Sequence, residues 1–195
     1  RPFHELTGNW FWWCRNTCTP VEFKLLWRFT IDYLRHEKGL HHLLVVFNTA
    51  DFQTQEEFLE RYPGDDVVDV LSFDTYEYGN PADDAAFIHT IDTRLGIIEN
   101  LAATKNKIAA WAETGYEAIP NANWWTDVLW KAIGDHKISY VLVWRNHGRQ
   151  NNGHMHYYAP YKGQISEENF KRFYYLDRTL FEADVRKEKL YVKGP

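Results

Sequence analysis

Four short apolar runs constrain this chain more than any other feature: Leu43–Asn48, Val67–Asp74, Lys107–Ala112 and Tyr140–Trp144. Each is of strand length, and none alternates cleanly between apolar and polar residues. Such runs suit strands covered on both faces, as in a parallel sheet. Helices are expected between them. Thr19-Pro20-Val21-Glu22 supplies an N-cap, a proline at the first helical position and the glutamate of a capping box. Apolar residues at 23, 26, 27, 30/31 and 34 give that helix its buried stripe, and Lys38-Gly39 closes it. Further helices are expected over Glu56–Tyr62, Asp84–Thr104, Trp124–Asp135 and Glu167–Leu176, with Thr179–Leu190 continuing the last packing layer. Arg1–His4 reads as the end of a fifth strand, leading into a turn at Thr7-Gly8-Asn9.

Strand and helix in alternation build parallel βαβ units, whose crossovers place helices over the sheet. A polar or charged residue closes every expected strand: Glu5, Asn48, Asp74, Glu113 and Arg145. In a (β/α)8 barrel that end carries the active site. A complete barrel takes about 250 residues, against 195 here. The fold class read from the sequence is therefore α/β, a (β/α)8 TIM barrel of which the C-terminal five β/α units are present and three N-terminal strands are absent, with residues 1–195 forming one domain. On that reading the two outermost strands each lack a neighbour and expose an apolar edge.

Residues 1–13, Arg-Pro-Phe-His-Glu-Leu-Thr-Gly-Asn-Trp-Phe-Trp-Trp, fit neither a helix stripe nor a strand alternation. They read as a binding site. The chain is 17% aromatic; most of these residues serve a core, but Trp is large enough that several should show a face to solvent or ligand. Flat amphipathic platforms suit sugar rings. A net charge of −5 with interleaved signs provides no basic stripe, so no nucleic-acid partner is expected. No apolar run is long enough to span a membrane.

Glu5 and Glu113 are the candidate catalytic pair, one acting as acid and then base, the other as nucleophile in glycoside cleavage. His4 and Tyr76 are placed to hold or shift them, and Trp144 to form a floor under the sugar. Other chemistry finds little support. His4-Glu5-Leu6-Thr7-Gly8 begins like a zinc-protease motif but has Gly at the second histidine position. His154-Met155-His156 and His41-His42 read as solvated loops, and Trp124-Trp125 as helix packing. Cys14 and Cys18 could bridge locally or remain two thiols. No metal or cofactor is expected.

Six segments, taken in order, resemble glycoside hydrolase family 26, in particular its endo-β-1,4-mannanases: residues 1–13, Tyr62-Pro63-Gly64-Asp65-Asp66, Phe73-Asp74-Thr75-Tyr76, Ala112-Glu113-Thr114-Gly115, Tyr140–Asn146 and His156–Tyr161. The resemblance runs from residue 1 to about 184. It implies a (β/α)8 barrel and a retaining double displacement on β-1,4-mannan, with Glu5 as acid/base and Glu113 as nucleophile. It also implies that His4, Trp10, Asp74, Tyr76, Trp144 and Arg145 bind substrate around the scissile bond. The implied partner is a β-mannan polysaccharide; same-family action on β-1,3-xylan or mixed-linkage β-glucan, or carbohydrate binding without catalysis, stands as the alternative. Cys14 and Val45 depart from the family's usual Gly and Trp. A start upstream of Arg1 and a secreted or periplasmic location, by way of a signal peptide outside this chain, are expected.

Overall fold

The structure is a computed structural model and describes residues 1–188. Its centre is a parallel sheet of β1 (Val46–Thr49), β2 (Val70–Asp74), β3 (Ile108–Thr114) and β4 (Val141–Val143), in that order. Helix α1 (Pro20–Asp32) runs into a π-helical turn at Tyr33–Glu37. Its start is built as its residues require: the Thr19 hydroxyl accepts from the Glu22 backbone N–H, and the Glu22 carboxylate accepts from the Thr19 N–H. Helix α2 (Gln55–Leu59) follows β1, and the 22-residue α3 (Asp84–Lys105) crosses from β2 to β3. A π-helical turn at Trp125–Leu129 leads into α4 (Trp130–Ile133) before β4. Then come an antiparallel hairpin of β5 (Asn146–Arg149) and β6 (Met155–Tyr157), α5 (Glu167–Tyr174) and α6 (Glu182–Lys187).

The sheet's two faces differ in chemistry. Phe47, Leu71, Phe73, Ala109 and Trp111 join the apolar core with Phe23, Trp27 and Ile31 of α1 and Ile91, Leu95 and Ile98 of α3. Alternation along a strand sends the intervening residues, Asn48, Ser72, Asp74, Ala110 and Ala112, to the other face. That face carries small and polar side chains. Phe73 stacks on Trp111 with centroids 5.9 Å apart, and the register pairs them directly. The next pair is Asp74 with Glu113, so Ala112 is skipped. One extra residue in β3 is a β-bulge, and it reverses the alternation. Without it Glu113 would follow Trp111 onto the core face; with it, Glu113 joins Asp74 on the polar face.

Several sequence expectations change in physical detail. Arg1–His4 forms no strand: Phe3 and Glu5 both take left-handed backbone, φ 52°, which no ladder accommodates. Phe3 is instead wedged edge-on against Trp12, Trp13 and Phe23. The described sheet therefore has four parallel strands where the sequence suggests five. The runs Leu43–Asn48 and Val67–Asp74 pair only from Val46 and Val70, because Leu43 and Leu44 lie exposed and Asp65–Val67 forms a 3₁₀ turn. In turn, β3 extends through Thr114, placing Glu113 inside the strand. β4 is not covered on both faces, since Leu142 is exposed. His154-Met155-His156 is no free loop but enters β6. Trp124 and Trp125 are buried in the core, as helix packing requires. Cys14 and Cys18 are free thiols. The last expected layer is seen as α6 up to Lys187, and residues 189–190 of that expectation lie outside the described residues.

Candidate active site

The polar rim at the carboxyl ends of β1, β2 and β3 gathers one oxygen each from Glu5, Asp74 and Glu113 within 4.8 Å of one another. Three elements supply them, and each is positioned by a local device. Glu5 stands in the loop before α1, where the Gly8 N–H donates to the Glu5 carbonyl at 2.8 Å and the Cys14 thiol approaches the same oxygen at 3.5 Å. The Trp10 indole folds back so that its Nε1–H donates to Glu5 Oε2 at 2.8 Å. This fold requires Gly8: a Cβ there would stand 2.6 Å from the Trp10 ring. His4 Nε2 lies 3.9 Å from Glu5 Oε2, with its ring against Phe11.

Glu113, on β3, accepts from the Tyr76 hydroxyl at 2.7 Å and pairs with the Arg1 guanidinium. Arg1 also places Nη1 2.9 Å from both oxygens of Asp74. Its fork thus bridges two carboxylates, a geometry that a lysine point charge would not reproduce. Asp74 accepts a further hydrogen bond, at 2.8 Å, from the Asn48 amide.

Burial and charge set the electrostatics. Burial pushes Glu5 above the usual carboxylate range, with Glu113 adding to the rise while the Trp10 hydrogen bond and Arg1 oppose it. Burial likewise pushes Asp74 up to about 8, with Arg1 and Asn48 opposing and Glu113 and Glu5 reinforcing. The Tyr76 phenol is pushed upward by burial and by its hydrogen bond to Glu113, so it stays a donor. Burial and the Arg1 charge push His4 down.

The structure brings His4, Glu5, Trp10, Asp74, Tyr76 and Glu113 together. Trp144 and Arg145 follow β4, where the Trp144 N–H donates to Thr114 O at 2.9 Å. The Arg145 guanidinium lies over the Trp144 ring at 5.5 Å. Among the described residues neither side chain hydrogen-bonds to the carboxylates. Trp10, which hydrogen-bonds to Glu5, and Trp12 both expose their rings to solvent. Two site residues escape the sequence reading. Arg1 carries no periodic signal. Asn48 is visible only as a polar residue ending an apolar run. The three carboxylates are the one described group able to offer a cation three ligands, but Arg1 already supplies positive charge to two of them.

Residues 1–156 match the model of glycosyl hydrolase family 26. The chain belongs to this family. Its relatives include a mannan endo-1,4-beta-mannosidase of Bifidobacterium adolescentis, 30% identical in an alignment 188 positions long that covers 89% of this chain and 19% of that protein. Among solved structures, the family 26 β-mannanase of Bacteroides ovatus is 42% identical with a TM-score of 0.86, covering 94% of this chain and 52% of that one. The catalytic domain of a Bacillus sp. JAMB-750 endo-beta-1,4-mannanase is 33% identical with a TM-score of 0.88, covering 98% and 53%. This family 26 chain thus spans about half the length of those solved chains. The parallel sheet and its helices accord with the family's barrel. Among the described residues no helix is long and apolar enough to cross a membrane.

Proposed function

We propose that this chain carries the glutamate-bearing part of a retaining endo-β-1,4-mannanase, in which Glu5 is the acid/base and Glu113 the nucleophile. The observation that carries the reading is the approach of Glu5 and Glu113 to within 4.8 Å, oxygen to oxygen, in unequal surroundings. Carboxyl groups about 5–5.5 Å apart suit retention, whereas inversion needs about 6.5–9.5 Å to admit a water. The environments also suit opposite roles. Glu5, pushed up by burial, is suited to hold a proton; Glu113, held by Tyr76 and Arg1, presents oxygens to an electrophile.

In the first step a Glu113 oxygen attacks the anomeric carbon while Glu5 gives its proton to the departing glycosidic oxygen, leaving a glycosyl ester on Glu113. In the second, Glu5 takes a proton from water as that water attacks the same carbon, and Glu113 leaves as carboxylate. His4, Trp10, Asp74, Tyr76, Trp144 and Arg145 would bind the sugars around the cleaved bond. The substrate class, β-mannan, follows the names of the relatives.

The barrel reading is supported by the sheet itself: β1 and β4 are both edges, and the polar face has the small side chains a barrel interior accepts. The remaining strands would come from outside this chain, and action on an extracellular polysaccharide would place the enzyme outside the cytoplasm. The test is ¹H NMR of mannohexaose hydrolysis, using this chain alone and joined to the complementary barrel half of the Bacteroides ovatus relative. Early β-anomer from the joined form supports a retaining mannanase. Hydrolysis of β-1,3-xylan or mixed-linkage β-glucan in its place would move the assignment within the family, and binding without cleavage would point to a carbohydrate-binding protein.

A further inference from the structure

Asn48 is fully buried at the end of β1, and its amide reaches three groups. Its Oδ1 accepts from the Glu5 backbone N–H at 2.9 Å. Its Nδ2 donates to Asp74 Oδ1 at 2.8 Å and to Ser72 Oγ at 3.0 Å. The amide's orientation follows from the Glu5 backbone N–H, which can only donate and so faces Oδ1. The Ser72 hydroxyl passes its own proton to Phe47 O at 3.1 Å. Every polar atom of the Asn48 side chain is therefore used.

The two ends of this bridge differ in what they hold. Glu5 has left-handed backbone, a conformation that a residue with a Cβ keeps only when its surroundings impose it. Asp74 shares the Arg1 guanidinium with Glu113. A chain of direct contacts thus runs from the Glu5 backbone through Asn48, Asp74 and Arg1 to Glu113. Glu5 belongs to a loop without a strand ladder, whereas Glu113 belongs to the centre of the sheet. The loop-borne carboxylate needs a tie to the sheet-borne one.

We propose that Asn48 is a positioning residue that fixes the spacing of Glu5 and Glu113 by hydrogen-bonding the Glu5 backbone and Asp74 together. The inference rests on the roles of the two glutamates given above. It makes the asparagine amide specifically necessary: aspartate would keep the acceptor for Glu5 but replace the donor to Asp74 with a repelling oxygen, and alanine would lose both.

Amide exchange and carboxyl NMR on this chain test the inference without turnover. In Asn48→Ala the Glu5 amide should exchange about tenfold faster or more, and Asp74 should titrate at higher pH because a hydrogen bond to its ionised form is gone. Ser72→Ala removes another buried partner of the same amide and should leave both readings near wild type, so it controls for general loosening of the core. Unchanged Glu5 exchange and Asp74 titration in Asn48→Ala would overturn the proposal, as would equal changes in Ser72→Ala.

A kinetic readout in the joined, barrel-complete form adds the functional half. Loss of acid positioning should slow cleavage of an unactivated mannoside by about 100-fold while affecting a 2,4-dinitrophenyl mannoside much less, since that leaving group needs no proton. Equal losses on both substrates in Asn48→Asp would count against positioning of the acid. If wild type cleaves neither substrate, the hydrolase assignment fails, while the NMR measurements still decide whether Asn48 couples the two segments.

Discussion

Asp74 lies directly opposite Glu113 across the β2–β3 ladder because the register passes over Ala112. The neighbouring pair, Phe73 and Trp111, belongs to the apolar core. A single bulge therefore separates a stacked aromatic pair on one face from a pair of carboxylates on the other. Bulges recur beside active sites because they re-aim one side chain at little cost to the sheet. The consequence is chemical: it brings Glu113 within reach of both Tyr76 and Arg1.

Tyr76→Phe removes one hydrogen bond to Glu113, the proposed nucleophile, and little else. Hydrogen bonds to charged groups contribute about 1.5–3 kcal/mol. The expected result is a fall in kcat of roughly 10- to 100-fold, with a cooperative melting transition lowered by several degrees, at most about 12 °C. Steady-state kinetics and a melting curve check this together. A variant as active as the parent would remove Tyr76 from the site.

Trp10→Phe keeps an aromatic ring but withdraws the indole donor from Glu5 Oε2. That donor favours the ionised form, so its loss raises the Glu5 pKa beyond the rise burial already causes. Glu5 then stays protonated to higher pH, and the basic limb of the kcat/KM profile moves upward. A limb that moves downward, or does not move, contradicts the assignment of Glu5 as acid.

Away from the three carboxylates, Glu77 is buried and pushed up to about 8 by burial and by its contact with Asp84, while the Trp124 indole donates to its carboxyl. The unfolded chain loses this proton near the ordinary carboxylate range, and the folded chain holds it longer. Between about 4.5 and 8 the folded state binds the extra proton, so stability falls as pH rises through that window. Glu77→Gln can still accept from Trp124 and can donate to Asp84. Its unfolding free energy, measured by denaturant titration from pH 5 to 8, should fall less steeply than that of wild type. Parallel slopes would refute the buried proton.

How far the sequence discloses this arrangement depends on the range of the interactions. The capped start of α1 is legible because Thr19, Pro20 and Glu22 act within one turn. β2 and β3 are legible as apolar runs because both faces are covered. Arg1–His4 misleads: its residues allow a strand, but packing of Phe3 against three aromatic rings imposes a turn. The hairpin of β5 and β6 is hidden because its residues are polar and the pairing is fixed by Asn146, whose side chain accepts from the Tyr158 and Ala159 N–H groups. The glutamates stand out through the motifs around them. Their tie through Asn48 and Arg1 does not, because it joins residues far apart in the chain that no local pattern connects.

In the proposed mechanism Glu113 forms a covalent bond to the sugar while Glu5 handles the proton. The most direct measurement is mass spectrometry of peptides from the joined enzyme after reaction with a 2,4-dinitrophenyl 2-deoxy-2-fluoro-β-mannoside, whose fluorine slows both formation and hydrolysis of the intermediate while its good leaving group restores formation alone. A fluoromannosyl label is expected on the peptide containing Glu113, and no such label in Glu113→Gln. A label on Glu5, or on any other residue of a protein that turns over mannan, would contradict it.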